Sequence, residues 1–340
     1  MSLRRPFLYG GLKLPSNIFC APLAGCSDFP FRQMTSAYRP GLLFCEMVKI
    51  DALIRHDPHT YRFLDYSTDM HPIGAQLCGS KSAIAARAAR IVEDLGFDSI
   101  DLNCGCPVDK VVKDGSGSGL MKTPEKIGEI LFAIIEAVDI PVSVKIRSGW
   151  DESQINAVDI VRIAEQAGAV AVTVHGRTRQ QAYKGPADWE IIRECKRAAK
   201  EILIIGNGDV FDGDSAQRLF AATDCDGILV ARGTLGQPWI VEDIYRQLSG
   251  EPHRPFTVDD LRADLVDHFH KITQYQPERQ ALLDMRRVGC WYLRRCVGAK
   301  GLRMQLNQAT GLDEVFSLLS ANDWSALSLV EKSVVAQVGE

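Results

Sequence analysis

The chain has 340 residues, 46% of them hydrophobic and 24% charged, with 28 glycines and 15 prolines. This is an ordinary globular composition, so disordered, collagen-like and small disulfide-stapled architectures are excluded and one or two domains are expected. The formal charge of −4 argues against a uniformly basic nucleic-acid coat.

The charge is unevenly spread. Across residues 279–303 seven Lys and Arg meet one acid, Asp284, a local +6 that leaves −10 for the rest. An acidic body with one basic segment suggests a localised anionic partner, although a solvated helix face has the same composition. The longest apolar stretch, 130–144, is interrupted by Glu136, Asp139 and Pro141, so no spanning helix and no membrane association is expected. Leu23-Ala24-Gly25-Cys26 resembles a lipoprotein cleavage box, but Pro6, Gly10, Gly11, Lys13, Pro15 and Asn17 leave no apolar h-region before it. Without an export signal the ten cysteines read as reduced thiols of a cytoplasmic protein. Only Cys104 and Cys106 form a tight pair, and no further ligands at zinc spacing accompany them, so no metal is expected.

In chain order, short β-branched and apolar runs predict strands at 17–21, 41–48, 72–77, 99–103, 141–146, 169–174, 202–205 and 227–230. Helical spacing fills 80–95, 124–138, 157–167, 189–200 and 214–222. Thr123 before Pro124 marks a helix start, and Gly96 and Gly168 sit where helices end. Eight alternations with strands apolar enough for burial on both faces predict an α/β fold, a closed (β/α)8 TIM barrel. The runs end in Ala24-Gly25, Gln76, Asn103, Lys145, His175, Asn207 and Arg232, which would gather at the C-terminal mouth where such barrels carry chemistry.

After Gly250 the strand runs stop. Residues 1–250 are therefore read as the barrel, 251–256 with Pro252 and Pro255 as a linker, and 257–340 as a smaller all-helical domain. In it Val258, Leu261, Leu265, Phe269 and Ile272, then Leu282, Met285, Val288, Tyr292 and Cys296, follow helical spacing.

Gly206-Asn207-Gly208-Asp209 and Ala231-Arg232-Gly233 end the seventh and eighth strands, where glycine-rich backbone can expose amide donors to a phosphate. Each alone is equally a tight turn; together with Arg232 they point to a phosphate-bearing cofactor. Gly115-Ser116-Gly117-Ser118-Gly119 lacks the preceding strand and the ending of a P-loop and reads as a mobile loop near the mouth. Lys145 would be a costly charge in a barrel mouth unless it faced an anion such as the pyrimidine edge of a reduced flavin, or paired with Asp101. Gln76 suits the amide-like edge of the same ring. His175 and Arg177 form a compact basic pair, or a satisfied structural histidine beside an arginine. In Asp101-Leu102-Asn103-Cys104-Gly105-Cys106-Pro107 a strand runs into a turn; Cys106, past its end, is a candidate general acid, whereas Cys104 reads as packing.

These blocks resemble the flavin-dependent tRNA-dihydrouridine synthases, and most closely their bacterial B-type branch. The resemblance rests on Ala21-Pro22-Leu23-Ala24-Gly25, Gln76-Leu77, the segment from Asp101 through Pro107, Val144-Lys145-Ile146-Arg147, His175-Gly176-Arg177-Thr178, Asn207-Gly208-Asp209 and, in the last domain, Arg286 to Leu293 and Gly301-Leu302-Arg303 with Leu306-Asn307. It implies FMN held at Pro22, Leu23, Ala24, Gln76, Lys145 and His175. The phosphate would lie near Asn207, Gly208, Asp209, Ala231 and Arg232. It further implies NADPH as a transient reductant, tRNA as substrate with no stable protein partner, Cys106 as proton donor, and Asn103 and Arg177 beside the uracil. One departure stands out: the family usually has Gly-Arg where this chain has Ala231-Arg232. Arg286, Arg287, Trp291, Arg294 and Arg295 would contact RNA, unless Trp291 is core with arginines around it. A free-pyrimidine or dihydroorotate oxidoreductase, and a non-catalytic RNA-binding protein, are the competing readings.

Overall fold

The computed structural model describes residues 7–251 and 255–330. Its centre is a closed parallel barrel of β1 (Ile18–Cys20), β2 (Leu42–Phe44), β3 (Ile73–Cys78), β4 (Ser99–Cys104), β5 (Val142–Arg147), β6 (Ala171–His175), β7 (Leu203–Asn207) and β8 (Gly227–Val230). Each strand pairs with the next, and β8 pairs with β1 to close the ring. All residues of β3 and β4 are buried, as strands covered on both faces must be.

The barrel helices are α1 (Phe29–Ser36), α2 (Ser82–Asp94), α3 (Pro124–Ile135), α4 (Ala157–Gln166), α5 (Trp189–Ala198), α6 (Gly213–Thr223) and α7 (Ile240–Ser249). Gly96 and Gly168 follow α2 and α4 with φ of +87° and +90°, as their positions suggest. Thr123 does precede α3, but its side chain makes no capping bond.

Two differences from the sequence reading matter. The expected strand 41–48 breaks after Phe44; Cys45, Glu46 and Met47 leave the ladder, and Val48–Lys49 resumes it against β3. An apolar run gives no sign of such a break, apart from Glu46 inside it. A hairpin of Phe7–Tyr9 and Leu12–Leu14 was not anticipated, although Gly10-Gly11 between two short apolar runs is a hairpin signal. Its Tyr9 and Leu14 pack with Phe19, Leu42, Phe44, Ala171, Ile205 and Leu229 inside the barrel. A Cβ on Gly10 would strike Val170, which precedes β6, so the hairpin closes the end opposite the mouth.

The C-terminal region is helical: α8 (Val258–Tyr275), α9 (Glu278–Leu293), α10 (Lys300–Gln308) and α11 (Leu312–Ala321). Thr257 and Asp260 form a capping box at the start of α8. Leu261, Leu265, Phe269, Ile272, Met285, Val288, Tyr292 and Cys296 make its core, and Trp239 from the barrel joins them, stacked 3.6 Å from Phe256. Phe29 stacks on Tyr275 at 4.9 Å and the Tyr38 hydroxyl donates to Asp264, so α1 and α8 tie the two parts together. A two-residue strand pair, Cys296–Val297 with Ser328–Leu329, is too short for a pattern to announce. Of the expected linker, 252–254 lie outside the described residues, as do 331–340 of the helical region. Among the described residues no helix is long and apolar enough to cross a membrane.

Candidate active site

The strands open at their C-terminal ends onto a cleft of about 360 Å³, within the size range of cofactor sites. Its walls include Pro22, Leu23 and Ala24 after β1, Gln76 on β3, Asn103 and Cys106 at β4, Lys145 on β5 and His175 on β6. Asn207, Gly208 and Asp209 at β7 and Ala231 with Arg232 after β8 complete it. Strand ends from Pro22 to Arg232 thus meet in one place.

A chain of hydrogen bonds orders the β3–β4 side. Asp101, buried beneath the cleft, accepts from Ser143 Oγ and from Gln76 Nε2, both at 2.7 Å. A carboxylate only accepts, so it fixes which way the Gln76 amide points. Gln76 Oε1 then accepts from Asn103 Nδ2 at 2.8 Å, which leaves Asn103 Oδ1 to accept from the backbone N–H groups of Gly105 (3.1 Å) and Cys106 (2.9 Å). Gln76 keeps one N–H and one lone pair for a ligand. Burial pushes the Asp101 carboxyl up to about 6 despite its donors.

Cys106 lines the cleft with a free thiol, whereas Cys104 is wholly buried in β4 and burial raises its thiol well above the ordinary range. The glycine-rich segment expected to be a mobile loop is instead a packed 3-10 helix, Gly117–Lys122, with Gly117, Ser118, Leu120 and Met121 buried. Ser118 N–H donates to the Cys106 carbonyl at 3.0 Å. Gly117 has φ +59°, and a Cβ there would lie 2.9 Å from that carbonyl oxygen. The glycines let the segment pack against Cys106, and the Lys49–Asp114 ion pair holds its start.

Lys145 does not pair with Asp101. Its Nζ donates to Asn207 Oδ1 at 2.9 Å, and burial, with Arg147 nearby, pushes the ammonium down to about 8. Burial and the surrounding cations Lys145, Arg147, Arg177 and Arg232 hold His175 well below 6.5, so it is neutral near pH 7. Arg177 Nη1 lies 3.3 Å from His175 Nε2, so Nε2 accepts and the ring proton is assigned to Nδ1. Arg177 is not on the cleft surface: buried behind it, Arg177 donates to both Asp209 oxygens at 2.8 Å and to the Gly185 carbonyl. Asp209 also accepts from Ala187 N–H and from Arg232 Nη2.

These loops suit a phosphate. Among the described residues the N–H groups of Asp209, Arg232 and Gly233 meet no protein acceptor, and Arg232 stands beside them. Ala231 has φ −108° and ψ −105°, outside the left-handed region but also outside the common α and β regions, so the methyl group that departs from the family pattern sits on a sparsely populated backbone conformation. A group with a phosphate and an anionic ring edge would satisfy both these donors and Lys145.

Sequence reading missed Met47, Arg147, Tyr183 and Phe211 on the cleft. Arg147 was legible as the residue two beyond Lys145 on one strand face. Tyr183, 55% exposed with Arg147 and Arg232 over its ring at 5.7 and 5.0 Å, lies in a loop that gave no signal.

The five residues expected to contact RNA do not share one face of the helix. Arg287, Trp291 and Arg294 share a side of α9 and its end, and Arg287 lies 5.2 Å over the Trp291 ring. Consecutive helical residues turn about 100°, so Arg286 and Arg295 point away to opposite sides. Arg286 donates to the Ala309 carbonyl inside the helical unit. Burial pushes Arg295 down to about 10, opposed by Asp243 on α7. Arg294 is exposed.

The family model described as dihydrouridine synthase (Dus) matches residues 19–327. The chain belongs to the dihydrouridine synthase family. This dihydrouridine synthase is 34% identical over 305 residues to tRNA-dihydrouridine synthase B of Pseudomonas aeruginosa, spanning 89% of this chain and 92% of that protein. It is 37% identical over 285 residues to a probable tRNA-dihydrouridine synthase of Rickettsia bellii, spanning 83% and 87%. The resemblance read from the motifs, including the B-type branch, is borne out. Among solved structures it is similar to histamine dehydrogenase from Rhizobium sp. 4-9, with TM-score 0.57, 14% identity, 79% of this chain and 51% of that one. It is also similar to 2-naphthoyl-CoA reductase, with TM-score 0.56, 13% identity and coverage of 74% and 52%. The dihydrouridine synthase spans about half of each, and the likeness is one of barrel fold.

Proposed function

We propose that this dihydrouridine synthase reduces the C5=C6 bond of a uridine in the D-loop of tRNA, in the cytoplasm, with FMN as resident cofactor and NADPH as transient reductant. Residues 1–250 serve as the catalytic barrel and 257–340 as the RNA-binding unit. FMN, once reduced, supplies a hydride to uracil C6. Every other task falls to the protein. Lys145 and Gln76 hold the pyrimidine edge of the ring, and the backbone at Pro22, Leu23 and Ala24 borders it. Arg232 and the amides of Asp209, Arg232 and Gly233 take the phosphate. Neutral His175 adds no charge to the site, and Arg177 steadies His175 and Asp209 from behind. Asn103 holds the Cys106 backbone, and the Cys106 thiol gives a proton to C5. A uridine stacked in folded RNA cannot reach this cleft, so the base is flipped out.

The observation that carries this reading is the free Cys106 thiol on one cleft with Lys145, Gln76 and unused amide donors, its backbone fixed by Asn103 on one side and Ser118 on the other. The test is to purify the full chain with FMN and incubate it with NADPH and unmodified tRNA transcript. Dihydrouridine in the D-loop is expected, with free uracil and orotate left unreduced. Turnover of the free pyrimidines without tRNA modification overturns the proposal.

A further inference from the structure

The loop between β1 and α1 borders the cleft through Leu23, Ala24 and Cys26. One residue in it is gripped from two directions. The Gly25 N–H donates to a carboxylate oxygen of Glu46, in the segment that interrupts the second strand, and the Gly25 carbonyl accepts from Arg287 Nη1 on α9. The loop's own bonds are few: Leu23 N–H donates to Ser27 Oγ at 2.8 Å, and the N–H groups of Cys26 and Ser27 donate to the Leu23 carbonyl. Gly25 has φ +72°, a conformation other residues adopt with difficulty.

Arg287 is itself fixed. Its Nη2 donates to Asp284 at 2.9 Å and lies 3.9 Å from Asp28, which caps α1, while its guanidinium covers the Trp291 ring. Glu46 is buried, and its carboxylate meets the Gly25 N–H rather than a cation. One arginine of the helical unit thus reaches across to the backbone of a cleft wall.

We propose that Arg287 is a positioning residue which, with Glu46, clamps Gly25 and so sets the β1–α1 loop against the flavin from the helical unit. The proposal rests on the reading that FMN occupies the cleft. It gives Arg287 a role other than contacting RNA phosphate. A base stacking on Trp291 would act on the cofactor wall through the guanidinium it shares.

The full chain is compared with Arg287→Ala, Arg287→Lys, Glu46→Gln and, as control, Arg294→Ala. A charge-assisted hydrogen bond at a partly exposed site corresponds to roughly threefold to tenfold in an equilibrium, so Arg287→Ala is expected to weaken FMN binding by that factor and to shift the visible flavin band. Glu46→Gln should do the same to a smaller extent. Arg287→Lys, which keeps one donor to Gly25, should recover part of the loss, and Arg294→Ala should change neither readout. Amide hydrogen exchange on the FMN-free proteins reads the clamp independently, with faster exchange over residues 23–28 in Arg287→Ala, a smaller increase in Glu46→Gln and none in Arg294→Ala. If wild-type protein takes up no FMN, the cofactor reading fails and the exchange experiment alone decides the clamp. Unchanged exchange over 23–28 in a folded Arg287→Ala protein overturns it, as does unchanged FMN affinity and spectrum where wild type binds FMN.

Discussion

Lys145 Nζ and Asn207 Oδ1 meet at 2.9 Å, joining β5 to β7 across the barrel mouth. The neutral amide accepts one of the three ammonium protons and none of its charge, which is why burial drives Lys145 from 10.5 to about 8. The folded ammonium therefore loses its proton before the unfolded one. Between these values the unfolded chain binds more protons, so stability rises with pH; below about 8 the buried charge is a constant cost.

An anionic ligand beside Lys145 reverses that shift. FMN affinity is expected to be flat below about pH 8 and to fall as pH rises beyond it, because binding then requires proton uptake. Lys145→Met should abolish the slope in flavin fluorescence titrations. It should also lower the flavin midpoint potential by about 30 to 60 mV, the equivalent of one hydrogen bond to a charged group. A mutant that keeps the wild-type slope would place the proton elsewhere.

Cys106→Ala is expected to retain FMN and its reduction by NADPH while uridine reduction falls roughly 10² to 10⁴-fold. Rapid-mixing measurement of each half-reaction separates the two. Cys104→Ala removes only packing within β4 and should leave both half-reactions near wild type, with some loss of thermal stability. Equal loss in the two variants would remove the distinction between the thiols.

Asp101 lies out of the cleft and yet governs it. In Asp101→Asn one of the two acceptor oxygens becomes an NH2 donor; where it faces Gln76 Nε2 the Gln76 amide turns over, and the Asn103 bond that holds Cys106 N–H goes with it. Uridine reduction should fall roughly tenfold or more through loss of alignment, with FMN still bound. The sign of the stability effect is the reverse of that for Lys145. The folded carboxyl titrates near 6 and the unfolded one near 3.8, so stability declines as pH rises between them. Asp101→Asn should flatten that decline in thermal melts from pH 4 to 7.

The barrel was legible because each strand is a short apolar run ended by a polar residue, and because Gly and Pro punctuate the helices. The cleft was legible for the same reason: Gln76, Asn103, Lys145, His175 and Asn207 announce themselves as polar residues where apolar runs stop. What escaped depends on contacts between distant segments. Nothing in the sequence near Gly115 shows that Gly117 packs on Cys106, and nothing near Glu46 shows that it meets Gly25. Arg177 looked like a ligand contact because its charge is visible and its partner, Asp209, is 32 residues away. The basic segment is legible as local charge but not as a single face, because neighbours such as Arg294 and Arg295 stand about 100° apart on a helix.

That separation yields the final prediction. Arg294 is exposed and Arg295 is mostly buried beside Asp243 of the barrel. Arg294→Ala should lower the slope of log affinity against log salt for tRNA by about one, with unaltered melting. Arg295→Ala should leave that slope alone and lower the melting temperature by about 3 °C or more, since it removes a mostly buried side chain from the junction of barrel and helices. Filter binding across a salt series and calorimetry on the two proteins measure both quantities. A slope reduced equally in the two variants, with both melting as wild type, would mean that Arg295 turns outward to the RNA and that the helical unit is seated on the barrel by other contacts.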